Sequence, residues 1–267
     1  MRDRFAVSIN TNMETLVGLE NLLSLAFVVS VAVFAGLVKG VVGFAMPMIL
    51  ISGMTLVLPP QQALAALILP TLVTNLWQAL RQGIPNALST IKTYRVFLIC
   101  GLVMLVLSAQ LVRVLDVRIL YGLIGGPVTV FAMLQLAGWS PRLSSGARVI
   151  EGGVGAFAGF IGGLSGVWGP PTVAYLTAVN TPKAEHMRAQ GVIYGLGAVA
   201  LAGAHIQTGV LRADTAPLTL TILPFALLGL WLGFKLQDRI AQDTFRYATL
   251  VVLVVAGLNL LRRAVMG

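Results

Sequence analysis

Two stretches of this chain combine glycine and proline in a pattern that can build an anion site. Ala35–Pro47 reads AGLVKGVVGFAMP and Ala158–Pro170 reads AGFIGGLSGVWGP. Aligned without gaps, Gly36, Gly40, Gly43 and Pro47 fall on Gly159, Gly163, Gly166 and Pro170, and Pro59 falls on Pro182 at the same offset. Proline fits the first turn of a helix, where its missing N–H costs nothing. Pro47, Pro59/Pro60 and Pro170/Pro171 therefore read as helix starts. The glycines ahead of them permit close packing and unusual dihedrals. A helix N-terminus carries about half a positive charge and several free N–H donors, so it attracts anions. Close packing of small residues explains one glycine-rich stretch equally well. Two in register, each ending in Pro, favour a binding site at interrupted helices.

Several side chains can complete such a site. Lys39 sits inside the first stretch and faces Gly162 in the alignment. A lysine buried in lipid costs at least about 2.5–3.5 kcal/mol and is usually functional; a lysine at the membrane surface needs no function, and both placements fit the sequence. Thr71, Thr74, Asn75 and Gln78 share one helix face by their spacing of three and four, with interhelical hydrogen bonding as the plainer role. Gln190 and Tyr194 form a similar pair in the second half, and Ser165, Trp168 and Thr172 flank the second stretch. Arg188 can snorkel to the surface or reach inward. Outside the termini and loops the spans hold no Asp or Glu, with Glu151 at a span's edge. Proton relays and cation sites usually need such carboxylates. His186 and His205 lack metal-ligand spacing, no HExxH or GxSxG motif occurs, and no catalytic residue, metal or cofactor is expected.

The elements that must position these residues are membrane helices. The chain is 57% hydrophobic and 10% charged, where a soluble domain is about 25% charged. Between Asn21 and Arg81 the only charge is Lys39, and further uncharged runs cover 96–112, 119–141, 152–182, 189–211, 215–234 and 247–261. A membrane helix needs roughly 20 apolar residues, so eight to ten spans fit. Stretches such as Leu25–Val33 do not alternate polar with apolar, which excludes a β-barrel. The net charge of +9 lies in short loops, as the positive-inside rule expects, and does not point to nucleic acid. Cys100 is the sole cysteine, so no internal disulfide forms.

The expected fold is an all-α polytopic membrane protein of two homologous halves with Gly/Pro-broken helices. Residues 1–21 form an N-terminal segment, 22–138 the first repeat, 139–148 a linker (WSPRLSSGAR) and 149–267 the second repeat. The stretch 22–58 is one bent span with a re-entrant piece or two spans meeting at Lys39–Gly43. The first option gives four crossings per half and parallel repeats. The second gives five and inverted repeats, an arrangement many transporters use, and prolines that start new helices favour it. Both work best with loops 81–95 and 139–148 in the cytoplasm.

GLSGVWGPPTVAYL (163–176), MRAQG (187–191) and LPFALLGLWLGFKLQDRIAQDTFRYATLVVLVVAGLNLLRR (223–263), with the paired glycine-rich stretches, resemble the TauE/SafE family of sulfite exporter-like permeases. The resemblance runs through nearly the whole chain from Leu22. It implies a multi-pass transporter of sulfite, sulfonates or other small organosulfur anions in the inner membrane of a prokaryote. The match includes Gly169-Pro170, Arg188, Arg239 and Arg246. The first stretch departs from the family pattern: Lys39 stands where Gly is common, and Ala45-Met46 replaces further Gly.

The expected partners are a small anionic substrate and the lipid bilayer, with the substrate held by Lys39, Gly40, Gly43, Pro47, Thr71, Asn75, Gln78, Gly163, Ser165, Gly166, Trp168, Pro170, Arg188, Gln190 and Tyr194. A permease of the same fold for a carboxylate or neutral solute, and a non-transporting scaffold, are the alternatives. Lys39→Ala separates the two placements of that lysine. A weakened anion affinity is expected if it faces the site, and unchanged affinity removes it from the site.

Overall fold

The computed structural model describes residues 22–58, 60–109, 117–139, 148–165, 169–207 and 216–266. Among these residues the only regular structure is helix. Helix α1 (Leu22–Val42) and helix α2 (Met46–Met54) are separated by three residues, with Gly43 at φ 88° and Ala45 at φ 72°. Pro47 lies in the first turn of α2, where it removes no helical hydrogen bond. Helix α3 (Pro60–Leu80) opens on a proline and carries Pro70 inside. Helix α4 (Ile84–Thr93) follows, then α5 (Arg95–Ala109), α6 (Val117–Leu136), α7 (Arg148–Ser165), α8 (Gly169–Ala178), α9 (Lys183–Gln207), α10 (Ala216–Arg239) and α11 (Gln242–Met266).

Three described helices, covering Leu23–Val42, Pro217–Arg239 and Gln242–Met266, are long and apolar enough to cross a membrane. The pair α4–α5, bent by 75°, is a fourth candidate. Helix α4 corrects the reading of 81–95 as a loop. Gly83, at φ 90°, precedes Ile84 and Pro85 in a helix-starting arrangement, and Ala87 and Thr90 are buried while Ile84, Leu88 and Ile91 are exposed. Past Arg95 the exposed surface of α5 is apolar, with Ile99, Leu102, Val103, Val106 and Leu107 outward. Polar groups meanwhile lie inside, among them Thr71, Thr74, Asn75, Gln78 and Gln190. That inversion suits a lipid surround.

The chain divides into two compact units. The first holds Met1–Val41, Ala45–Thr74 and Ala198–Asp238. Its core joins Val28, Ala32 and Ala35 of α1 to Met46, Leu50 and Met54 of α2 and to Leu218, Ile222 and Ala226 of α10. Glycines set the distance between α1 and α10. A Cβ on Gly36 would lie 2.9 Å from the Leu230 nitrogen, and one on Gly40 would lie 2.7 Å from the Cα of Gly233. The contact is mutual, because a Cβ on Gly229 would lie 2.9 Å from the Leu37 nitrogen. This is the small-xxx-small crossing of membrane helices, driven by van der Waals packing where lipid supplies no hydrophobic force.

The second unit holds Val42–Phe44, Asn75–Gly197 and Arg239–Gly267. Here α5 packs on α7 and α6 on α11. The α5–α7 crossing again rests on glycine: a Cβ on Gly155 would lie 2.8 Å from the Phe97 Cα, and one on Gly159 would overlap the Gly101 backbone. Glu151 accepts the Phe97 N–H at 3.1 Å, which gives this buried carboxylate a structural partner. In the α6–α11 contact a Cβ on Gly125 would lie 2.8 Å from the Gly257 carbonyl oxygen.

Leucine at Gly36 or at Gly159 is therefore expected to cost at least about 1–3 kcal/mol through overpacking. Gly153 has nothing within 4 Å of its Cβ position, and Gly153→Leu is expected to stay within about 0.5 kcal/mol of the parent. Thermal unfolding of the detergent-solubilised variants measures both. Equal stability of all three would contradict the close crossings.

Candidate functional site

The chain between α1 and α2 needs outside partners for its backbone, because buried peptide groups without a partner are costly in an apolar surround. Gln78 supplies one. Its Nε2 donates to the Met187 carbonyl at 2.8 Å and to the Gly43 carbonyl at 3.2 Å. Both acceptors being carbonyls, the amide orientation is fixed. The same Nε2 lies 3.5 Å from Gln190 Oε1, a weak third contact. Residues 43 and 191 must both be glycine for this geometry. A Cβ on Gly43 would collide with the Gln190 carboxamide and lie 2.9 Å from Met187 Sδ. A Cβ on Gly191 would lie 2.5 Å from the Ala79 nitrogen, so α9 approaches the backbone of α3 directly.

Two polar atoms of this cluster stay unsatisfied. Gln78 Oε1 and Gln190 Nε2 are buried and have no hydrogen-bond partner among the described residues. Gln190 is completely buried and Gln78 is 2% exposed. A buried amide group left unpaired costs about 1–3 kcal/mol, so such atoms in a native fold call for an explanation. Together they offer one donor and one acceptor.

The start of α8 lies in the same neighbourhood. Tyr194, buried on α9, donates its hydroxyl to the Gly169 carbonyl at 3.0 Å. A Cβ on Gly169 would be 3.8 Å from that hydroxyl and 3.9 Å from Phe44 Cδ2. The Phe44 ring, next to Gly43, thus lies beside the start of the helix that begins at Gly169-Pro170. Gly43, Gln78, Gln190, Tyr194 and Pro170 share the second unit, and so does the buried Asn75. Arg188 points elsewhere: its Nε donates to Thr90 Oγ1 at 2.6 Å and its Nη1 to Gln82 Oε1. Gln82 in turn donates to the Ala184 carbonyl at 3.0 Å. This network ties α9 to α4 and to the turn before it.

Lys39, Gly40, Pro47, Thr71 and Thr74, also singled out from the sequence, lie in the first unit. Lys39 is 2% exposed in the last turn of α1, where a cation also complements the helix dipole. Gly40 serves the α1–α10 crossing, and Pro47 lies in the first turn of α2. Thr71 is buried with its hydroxyl unpartnered among the described residues. Thr74 spends its hydroxyl on the Pro70 carbonyl at 2.6 Å, within its own helix. Gly163 and Ser165 belong to α7, and Gly166 and Trp168 lie outside the described residues. Phe44, Met187, Gly191 and Gln82 were not anticipated. Phe44 and Gly191 stood inside quoted motifs, but the role of each depends on a partner distant in sequence. No group of His, Cys, Asp or Glu suited to a metal occurs among the described residues.

No curated protein and no solved structure gives a significant match to this chain. A family model, Sulfite exporter TauE/SafE, matches residues 28–260, a stretch that contains every residue of the Gln78–Gln190 cluster. The chain therefore belongs to the TauE/SafE sulfite exporter family, whose members are membrane transporters and not enzymes.

Proposed function

We propose that this chain exports a small sulfur-containing anion, such as sulfite, sulfoacetate or another sulfonate, across the cytoplasmic membrane of a prokaryote. The carrying observation is the fully buried amide of Gln190, whose Nε2 has no partner among the described residues and which adjoins the Gly43 turn. An oxyanion would accept from that N–H group. Gln78 Oε1, an acceptor, would take a hydrogen bond from a protonated oxygen such as that of hydrogen sulfite, or from an amine. The N-terminus of α8, behind Tyr194 and Gly169, adds a positive dipole end. Among the described residues Lys39 and Glu151 are the buried charged side chains, and Glu151 already holds a backbone N–H. A buried lysine suits an anionic substrate.

The chain would cross the membrane ten times as two inverted repeats of five spans, 22–138 and 149–267. The division into units supports the duplication. The boundary at Thr74–Asn75 corresponds to the one at Gly197–Ala198 at the offset that pairs Pro47 with Pro170. Each unit therefore combines an early part of one repeat with a late part of the other. Gly36 and Gly159, paired in the repeat, both pack against a helix of the opposite repeat, α10 and α5 respectively. Export needs no embedded carboxylate, since an anion leaving an inside-negative cell gains about 2.3 kcal/mol per charge per 100 mV. One feature favours a second reading: Gln78 Oε1 repels a fully ionised substrate and suits a neutral one.

Flux of sulfite, sulfoacetate and taurine in proteoliposomes at a set membrane potential tests the proposal. Potential-dependent anion flux is expected; its absence for all three would sink anion export, and competition by neutral solutes alone would select the second reading. Gln190→Leu removes the unpartnered donor while breaking only a 3.5 Å contact. It is expected to lower sulfite flux about tenfold or more with the fold intact, the loss of one hydrogen bond to a charged group. Unchanged flux would remove Gln190 from the site.

A further inference from the structure

A second cluster of buried polar groups lies in the second unit, away from Gln78 and Gln190. It surrounds a cavity at the N-terminal ends of α9 and α11, lined in part by Thr181, His186, Phe245, Arg246 and Thr249. Thr181 Oγ1, His186 Nε2 and Thr249 Oγ1 are buried there with no partner among the described residues. Gln135, which does not line the cavity, holds another unpartnered atom beside Arg246. Arg246 donates to Gln135 Oε1 at 2.8 Å, and because arginine only donates, Gln135 presents its Nε2 as a donor, also unpartnered. Of the other polar lining residues Asn180 is exposed, whereas Gln242 and Thr177 are engaged. Gln242 accepts the Lys183 N–H at 2.8 Å, and Thr177 donates to the Val173 carbonyl at 2.8 Å. Phe245 packs edge-on to the His186 ring at 5.3 Å and restrains it.

We propose that this cavity is a second anion site, for a monatomic anion of chloride size. The donor set decides the sign of the charge. It comprises two hydroxyls, an imidazole nitrogen that donates in one tautomer, and the Arg246 guanidinium. No carboxylate lines the cavity among the described residues, which argues against a cation. The size decides the class. About 10 Å³ is open to the centre of a water-sized particle, which is room for one. A sulfonate or sulfite does not fit, so the ligand differs from the transported anion and the proposal stands apart from the export reading. A bound halide would join the α8–α9 turn to α11.

The test uses the full chain purified without halide. Bromide is added for crystallographic anomalous scattering, and chloride is titrated against thermal unfolding at constant ionic strength. A bromide peak bounded by Thr181, His186 and Thr249, with saturable stabilisation by chloride, is expected. Thr249→Val keeps the side chain's shape and removes an unpartnered hydroxyl, so the variant should fold and bind chloride about tenfold more weakly. No bromide peak in the cavity, which would leave it a water site, overturns the proposal. So does a chloride response that Thr249→Val leaves unchanged.

Discussion

Where a helix ends inside an apolar surround, its freed carbonyls must find donors within the protein. The end of α1 meets this demand through Gln78, whose amide bonds the Gly43 carbonyl and, on α9, the Met187 carbonyl. The rest of the cluster follows from that clamp. Gly43 has no Cβ because Gln190 occupies the space, and Gly191 has none because the α3 backbone does. Once Gln78 Nε2 is shared between two carbonyls, Gln190 has no strong partner for its own amide. The unpartnered amide of Gln190 is thus a by-product of satisfying the backbone.

A related economy governs the helix crossings. In water, burying apolar area drives helices together, but lipid removes that advantage and leaves close van der Waals contact. Gly36, Gly40, Gly229 and Gly233 in the first unit, and Gly101, Gly155 and Gly159 in the second, place backbone against backbone. The glycines that looked like hinges in the sequence therefore divide by role. Gly36, Gly40 and Gly159 pack helices, whereas Gly43, at positive φ, turns the chain.

Much of this was legible in the sequence because its causes are local. Proline fixes φ and lacks an N–H, so Pro47, Pro60 and Pro170 marked helix starts without reference to any neighbour. The polar face of Thr71, Asn75 and Gln78 followed from helical spacing, and all three are buried. The membrane setting followed from the scarcity of charge. What was not legible depends on contacts remote in sequence. Nothing local distinguishes Gln78, which clamps two carbonyls, from Thr74, which bonds its own helix. Arg188 carried no sign that Thr90 and Gln82 would hold it. Helix α4 was overlooked because 81–95 read as a loop between spans, although Gly83 and Pro85 together start a helix there. Gln135, Thr181 and Thr249 look like ordinary membrane-helix polar residues until their orphaned atoms are seen beside one cavity or its arginine.

The central claim is that a small oxyanion binds where the Gly43 turn meets Gln190. A structure determined with selenite, the heavier congener of sulfite, tests it most directly through anomalous scattering. The account predicts selenium within hydrogen-bonding reach of Gln190 Nε2, close to Gly43 and the start of α8. Selenium bound elsewhere, with the Gln78–Gln190 cluster empty, would contradict it.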